Sequence, residues 1–379
     1  MENEAKLRLL GAGARFDVSA PSTLAAQDAL SGRPGGIYQA LAGDGRRVPL
    51  LKVLLSNACK NDCLYCATRC SRDLPRASFH PQELARLTVE LRQAGLIEGL
   101  FLSSGIVGDA DSTMARMIET VEILRQEHRF RDYVHLKLLP GASDAAIHRA
   151  AQLADRLSVN LEAPNPERLQ RICPGKDFRR DLVKTLRRAH QIIEPAQVRA
   201  GLTTQFVVGA AEETDRELLA TTLRLLDELG LRRCYFSGLR PVPDTPLESR
   251  EATPLAREHR LYQVEFLLRC YGFELEELVL DENDMLPLDR DPKLAAALAR
   301  PELFPMEVNS AQRWELIRVP GIGPTSLERI LATRGERKLT SLRQLAKLGV
   351  RSGRARDFIT LGGRFYPRSK PAEQLTFEL

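Results

Sequence analysis

From about Val48 to Gly272, short apolar runs alternate with amphipathic stretches of helical length. The runs are Leu51–Leu55, Gly99–Ser103, Tyr133–Leu138, Arg156–Leu161, Gly201–Val208 and Arg233–Ser237. Short, β-rich and bounded by turn residues, they predict buried strands. The stretches between them include Gln82–Ala94, with Leu84, Leu87 and Leu91 on one face. Another is Thr113–Glu127, with Met114, Met117, Ile118 and Val121 at i, i+3, i+4 and i+7. Stripes at that spacing face a core. Thr214-Asp-Arg-Glu217 is a capping box that opens the following helix. Strands alternating with helices predict parallel pairing through helical crossovers. The result is an α/β fold whose six units fit a partial (βα)6 TIM-type barrel, with chemistry gathered at the C-terminal strand ends.

Outside this block the pattern changes. Gly11-Ala-Gly13 and Ser31-Gly-Arg-Pro-Gly-Gly36 interrupt any long element, so residues 1–47 read as a partly ordered extension capping a main domain of 48–273. Leu280-Asp-Glu-Asn-Asp284, Pro287, Asp291-Pro292 and Pro301-Glu-Leu-Phe-Pro305 predict a linker or docking segment over 274–306. In 307–379, Asn309 or Ser310 caps a helix through Trp314 to Arg318. The turn Val319-Pro320-Gly321-Ile322-Gly323-Pro324-Thr325 leads to a helix from Ser326 to about Thr333, with Thr325-Ser-Leu-Glu328 as its capping box. Leu339–Ile359, carrying Leu348-Gly349-Val350, reads as a degenerate second copy, so this domain is expected to be all-α.

Composition narrows the class. A 379-residue chain that is 43% hydrophobic and 28% charged suits a soluble globular protein of two or three domains. Met1-Glu-Asn-Glu-Ala-Lys-Leu-Arg lacks the apolar segment of a signal peptide, and no run reaches membrane-spanning length. The net charge of +5 is uneven. Ala311–Leu379 holds fourteen Lys/Arg and six Asp/Glu, a balance of +8, which leaves −3 for the rest. That asymmetry suggests a polyanion-binding module on a near-neutral body, against the ordinary alternative of a solvated face.

Four of the seven cysteines fall within twelve residues, which favours metal ligation in a reducing cytoplasm over disulfides. Cys59-Lys-Asn-Asp-Cys63-Leu-Tyr65-Cys66 sets C-x3-C-x2-C directly after the first predicted strand. Structural zinc prefers two separated cysteine pairs, and there is no second pair. An ordinary [4Fe–4S] cluster takes four cysteines; three leave one iron open. Cys70 follows at x3 and is a spare thiol, a transient ligand or a fourth ligand that closes the site. Cys173 before Pro174, and Cys234 and Cys270 in apolar surroundings, read as inert. His80, His128, His148, His190 and His259 show no ligand pairing.

The three-cysteine loop, with an aromatic residue before its last cysteine, resembles the signature of the radical S-adenosylmethionine (SAM) superfamily. The resemblance implies that Cys59, Cys63 and Cys66 hold a [4Fe–4S] cluster whose free iron chelates SAM. One electron then cleaves the sulfonium, and the 5′-deoxyadenosyl radical takes hydrogen from a substrate. It also implies an electron donor and places Tyr65 near the adenine. Ser103-Ser104-Gly105 stands where the family often has Gly-Gly-Glu for the SAM amino group; the glutamate is absent, so backbone carbonyls and Ser103 or Ser104 must serve. Ser158, Asn160 and Glu162 alternate along one strand and face one side of the sheet. By the resemblance they are candidates for SAM contacts, as is Gln205 on the strand similar to the family's adenine-binding strand. The alternative for each is an internal hydrogen-bond network. His135, Lys137, Tyr235, Ser237 and Arg240 are further polar groups on or just beyond the strands.

The C-terminal stretch resembles a helix–hairpin–helix motif centred on Gly321, Ile322 and Gly323. Two glycines permit a tight turn and close approach, and exposed amides beside a helix N-terminus suit a phosphate. Thr325 and Arg329 join this set, with Arg318, Arg334, Arg337 and Lys338 around it. Paired copies hold a duplex backbone without reading sequence; the alternative is a structural helical hairpin. Together with Phe101-Leu-Ser-Ser-Gly105 and Pro301-Glu-Leu-Phe-Pro305, the chain from about residue 45 is similar to a family of DNA modification or repair radical SAM proteins. That resemblance implies a nucleic-acid substrate, DNA before RNA, and a uracil-DNA-glycosylase-like partner. A target base must then be flipped or single-stranded. Two other readings stay open: a radical SAM enzyme acting on a protein or small metabolite, and a non-enzymatic cluster protein that binds DNA with Cys70 as fourth ligand.

Overall fold

The computed structural model describes residues 3–14, 36–41, 46–193 and 198–367. They divide into two compact units, Met1–Tyr262 and Gln263–Leu379. Among the described residues no helix is long and apolar enough to cross a membrane.

The first unit is built on a curled sheet of seven strands in sequential order. They are β1 (Ile37–Leu41), β2 (Arg47–Leu54), β3 (Gly99–Ser103), β4 (Tyr133–Lys137), β5 (Arg156–Ser158), β6 (Leu202–Val208) and β7 (Arg233–Gly238). From β2 to β7 every neighbouring pair is parallel, so the six expected units form the partial barrel. Most crossovers carry a helix. Helix α1 is Asn3–Ala14, and in the crossovers lie α2 (Pro81–Gln93), α3 (Ala110–Gln126), α4 (Asp144–Leu153), α5 (Pro166–Ile172), α6 (Lys184–Ile192) and α7 (Asp215–Leu229). Met114, Met117 and Val121 on α3 and Leu84 on α2 are fully buried, as their spacing predicted. Each such side chain contributes roughly 1.5–3 kcal/mol.

Two expectations need correction. The N-terminal extension contains α1, which runs through Gly11 and Gly13 because Leu7, Leu10 and Ala14 are buried and the helix packs on β2. It also contains β1, which pairs antiparallel with β2 and adds a seventh strand. The Ser31–Pro34 breakers lie outside the described residues. The fourth predicted strand, Arg156–Leu161, pairs regularly only over Arg156–Ser158. Beyond it, Glu162 takes a left-handed backbone (φ 66°) and bridges to Phe206.

Helix α8 (Leu255–Tyr271) runs across the division, and α9 (Pro292–Leu298) follows. The C-terminal unit then adds β8 (Met306–Glu307), α10 (Arg313–Leu316), α11 (Pro324–Glu336), α12 (Leu342–Lys347), α13 (Ser352–Ala355), β9 (Ile359–Leu361) and β10 (Arg364–Phe365). Its core joins Val308, Leu316, Val319, Ile322, Ile330, Leu345 and Ile359. It is not all-α: β8, β9 and β10 form a three-stranded sheet. The Glu307 carboxylate accepts from the amides of Asn309, Gly362 and Gly363 and from the Thr360 hydroxyl, which fixes the β9–β10 turn against β8.

Candidate active site

The C-terminal ends of all six parallel strands open on one cavity. Leu54, Ser103, Lys137, Asn160, Val207 and Ser237 line it, one residue on or just beyond each strand. Cys59, Cys63 and Cys66 reach into the same cavity from the loop after β2.

That loop is held from several sides. The Asn57 side chain accepts from the Ala77 amide and donates to the Pro75 carbonyl. The Arg76 guanidinium donates to the carbonyls of Asn57, Thr68, Arg69 and Arg72 at 2.6–2.9 Å, so one side chain gathers the whole turn. Asp62 takes a two-point contact from Arg69 and another from Ser71; these bonds hold its carboxyl well below the usual carboxylate range. Gly105 donates to the Ser56 carbonyl, and Lys60 to that of Ile106. A Cβ on Gly105 would stand 2.3 Å from the Ala58 carbonyl oxygen. The strand end Ser103–Ile106 can therefore run flush against the cysteine loop only with glycine there.

The donor set fits an iron–sulfur cluster. Cys59 Sγ accepts amide hydrogens from Asn61 and Ile106, each at 3.4 Å, and Cys66 Sγ shares a 3.3 Å hydrogen bond with Thr68. Burial pushes the Cys66 thiol up, and the Thr68 hydrogen bond offsets only part of that. The Cys63 thiol is held below its ordinary value, first by a hydrogen bond from Cys173 and further by Lys176, against the effect of burial. Cys70 is exposed and does not line the cavity. Cys59, Cys63 and Cys66 thus share one cavity while Cys70 stays outside it, and among the described residues no three acidic, cysteine or histidine side chains close on a single metal ion.

Of the residues expected to contact SAM, Tyr65, Ser103, Ser104, Gly105, Asn160, Glu162 and Gln205 all line the cavity. Burial holds the Tyr65 phenol up, and the Glu162 carboxylate adds to that. Asn160 is 8% exposed and its side-chain amide bonds to no described residue, a buried polar group facing the space a ligand would fill. Ser158 is the exception. Its hydroxyl lies 2.8 Å from His135 Nε2, with the imidazole set edge-on to Phe101 at 4.3 Å. Burial, then Arg156, Lys137 and Lys52, push the His135 pKa well below its ordinary value. Ser158 thus belongs to an internal network, and the ligand role is corrected accordingly.

Sequence reasoning missed Lys176, Cys173 and Arg76. Lys176 lines the cavity and places its ammonium 3.3 Å from Glu162. Burial opposes its charge, but Cys63, Glu162 and Cys173 hold its pKa well above the ordinary value. The Cys173 loop meets the cluster loop through a 2.8 Å bond from the Leu64 amide to the Ile172 carbonyl. No spacing signal links residues 59–66 with 172–176; only the fold does.

In the C-terminal unit, Gly321 and Gly349 both adopt φ 90°, and the Arg351 amide donates to the Gly321 carbonyl. The two glycine turns are thus joined back to back. Thr325 and Arg329 are exposed, with the Arg329 guanidinium 3.3 Å from where a Gly349 Cβ would stand. Other expected contacts are already in use. Ile322 is a core residue whose carbonyl accepts from buried Lys293 at 2.5 Å. The Gly323 amide donates to Ser326 Oγ. Arg318 pairs with Glu277, and Arg334 donates to the carbonyls of Val308 and Ala311. Ile322, Arg318 and Arg334 therefore have packing roles.

Comparison with known proteins matches residues 53–226 to the Radical SAM superfamily model. Threonylcarbamoyladenosine tRNA methylthiotransferase MtaB of Thermotoga maritima is 23% identical over 226 residues, covering 58% of this chain and 50% of the relative. The chain therefore spans about half the length of that curated relative. The FeFe-hydrogenase maturase HydG from Carboxydothermus hydrogenoformans aligns with a TM-score of 0.46 at 16% identity, over 57% of this chain and 50% of that one. Methylornithine synthase (PylB) aligns with a TM-score of 0.46 at 19% identity, over 57% and 60%. Residues 53–226 are a radical SAM superfamily domain, and the group its cysteines and cavity fit is the superfamily's [4Fe–4S] cluster with S-adenosylmethionine.

Proposed function

We propose that the chain is a radical SAM enzyme whose substrate is a nucleic acid. The observation that carries the enzymatic part is the convergence of Cys59, Cys63 and Cys66 on the strand-end cavity while Cys70 stays outside it. Bound there, the cluster and SAM would supply one-electron cleavage of a sulfonium and hydrogen abstraction. The chain's own residues position and shield that chemistry. Asn160, Glu162 and Gln205 offer polar contacts in the cavity wall, and Lys176, paired with Glu162 at 3.3 Å, holds that carboxylate in place.

The nucleic-acid part rests on the back-to-back glycine turns, with exposed Thr325 and Arg329 beside them, in a stretch carrying a charge balance of +8. A relative named for its action on tRNA supports a polynucleotide without choosing DNA or RNA. A second reading, a protein or small-metabolite substrate, is favoured by one observation: Arg318, Arg334 and the Gly323 amide are already bonded within the unit.

The test is anaerobic reconstitution with iron and sulfide, reduction with dithionite, and assay of 5′-deoxyadenosine with duplex DNA, single-stranded DNA and transfer RNA. Salt-dependent binding together with SAM cleavage stimulated by one of these polymers is expected. Cleavage with no polymer binding at any salt concentration would move the substrate to the second reading, and no cleavage under any condition would overturn the enzymatic part.

A further inference from the structure

A second feature lies on the flank of the barrel, away from the cysteines. The π-helical turn Phe178–Val183 and helix α6, which continues it, face helix α7 across a groove of about 670 Å³. Its floor is apolar, with Pro164, Leu225 and Leu229 buried and Phe178 half-buried. Its rim is basic: Arg179, Lys184, Arg187 and Arg224 are all exposed. Among the described residues the side chains of Arg179 and Lys184 donate no hydrogen bond, and Arg187 meets only Glu228, in an exposed pair that contributes little. Lys184 and Arg187 stand three apart on one helical face, so their charges lie side by side along the groove.

An aromatic ring on an apolar floor beneath a row of cations is the arrangement that holds a single polynucleotide strand, bases on the ring and phosphates on the rim. An acidic peptide would use the rim and leave the ring without a partner. The groove also adjoins the active site along the chain. Leu161 lines the groove while Glu162, next to it, lines the cavity. The loop between α5 and Phe178 carries Cys173 and Lys176 to the cluster loop.

We propose that this groove binds the single-stranded segment flanking the target nucleotide. The inference rests on the nucleic-acid reading above and deepens it: a base delivered to a strand-end cavity must leave its duplex, and its unpaired neighbours need a surface. Full-length protein is titrated with labelled single-stranded and duplex oligonucleotides of DNA and of RNA, using fluorescence anisotropy across a salt series. The variants are Arg179→Glu/Lys184→Glu and Phe178→Leu, with unchanged circular dichroism as the control for folding. The charge-reversed variant is expected to lose about tenfold or more in single-strand affinity, with a shallower salt slope. Phe178→Leu is expected to lose about fivefold or more at an unchanged slope. Binding equal to wild type in both variants would overturn the groove and leave the nucleic-acid reading standing. A loss confined to the charge-reversed variant, or equal affinity of wild type for polyglutamate, would overturn the single-strand assignment. Absence of any binding by wild type would overturn the reading and this inference together.

Discussion

Lys176 Nζ stands 3.3 Å from Glu162 Oε1, and both side chains are nearly buried in the wall that carries Cys63. Breaking a buried pair from one side leaves an uncompensated charge, which costs about 3–5 kcal/mol. Lys176→Ala should therefore lower stability by about that amount in denaturant unfolding, while Lys176→Met/Glu162→Gln should recover most of it. A single variant as stable as wild type would show that the pair is solvated in solution.

Gly105 should tolerate no side chain. With Ala58 O at 2.3 Å from the Cβ position, and backbone unable to swing aside as a side-chain tip would, Gly105→Ala must push the strand end off the cysteine loop. Iron bound after reconstitution is expected to fall well below one cluster per chain. Gly175→Ala, where nothing lies within 4 Å of the added carbon, serves as the tolerated control. Equal iron in both variants would mean that the loop has slack the packing does not show.

Cysteine variants separate the open-iron arrangement from a closed one. Cys59→Ala, Cys63→Ala and Cys66→Ala should each lose the cluster's visible absorption and most of the bound iron. Cys70→Ala should keep both, because its thiol is exposed outside the cavity. Loss of iron in the Cys70 variant would assign it as a ligand and remove the position proposed for SAM.

Sequence legibility followed locality. The six parallel strands, the α3 stripe and the three cysteines were readable because each signal lies within one short window. Strand β1 was not, since Ile37–Leu41 follows a breaker-rich stretch and gains its place by pairing with β2. Helix α1 was hidden by two glycines whose propensity cost is outweighed by burial of Leu7, Leu10 and Ala14. The period-two pattern placed Ser158, Asn160 and Glu162 together but could not say how far each lies from the mouth; Ser158 falls to His135. Lys176 needed the tertiary fold outright. The β9–β10 turn escaped notice because Leu361-Gly362-Gly363 lies beyond the helical copy read over Leu339–Ile359, in a domain expected to be all-α.

Two groups in the C-terminal unit make its stability depend on pH with the same sign in separate windows. Burial pushes the Glu307 carboxyl up, but the amides of Gly363, Asn309 and Gly362 outweigh it and leave the pKa at about 2. Between about 2 and the ordinary 4.5 the unfolded chain binds more protons than the folded one, so stability is lost as pH falls through that range. The loss is on the order of 2 kcal/mol once solvent screening is allowed for. Lys293 is buried, donates to the Ile322 carbonyl and lies 4.6 Å from the Tyr271 ring centroid. Burial lowers its pKa to about 7, with Asp291 opposing and Arg318 assisting. Between about 7 and the ordinary 10.5 the unfolded chain again holds the extra proton, so stability rises with pH by a few kcal/mol. Trp314, the chain's single tryptophan, lies in this unit and reports its unfolding. Glu307→Gln should flatten the acid limb of its denaturation midpoint and leave the alkaline limb alone, and Lys293→Met should do the reverse. If the midpoint of wild type is level from neutral to mildly alkaline pH, Lys293 keeps its proton in the folded unit and the second half of this prediction fails.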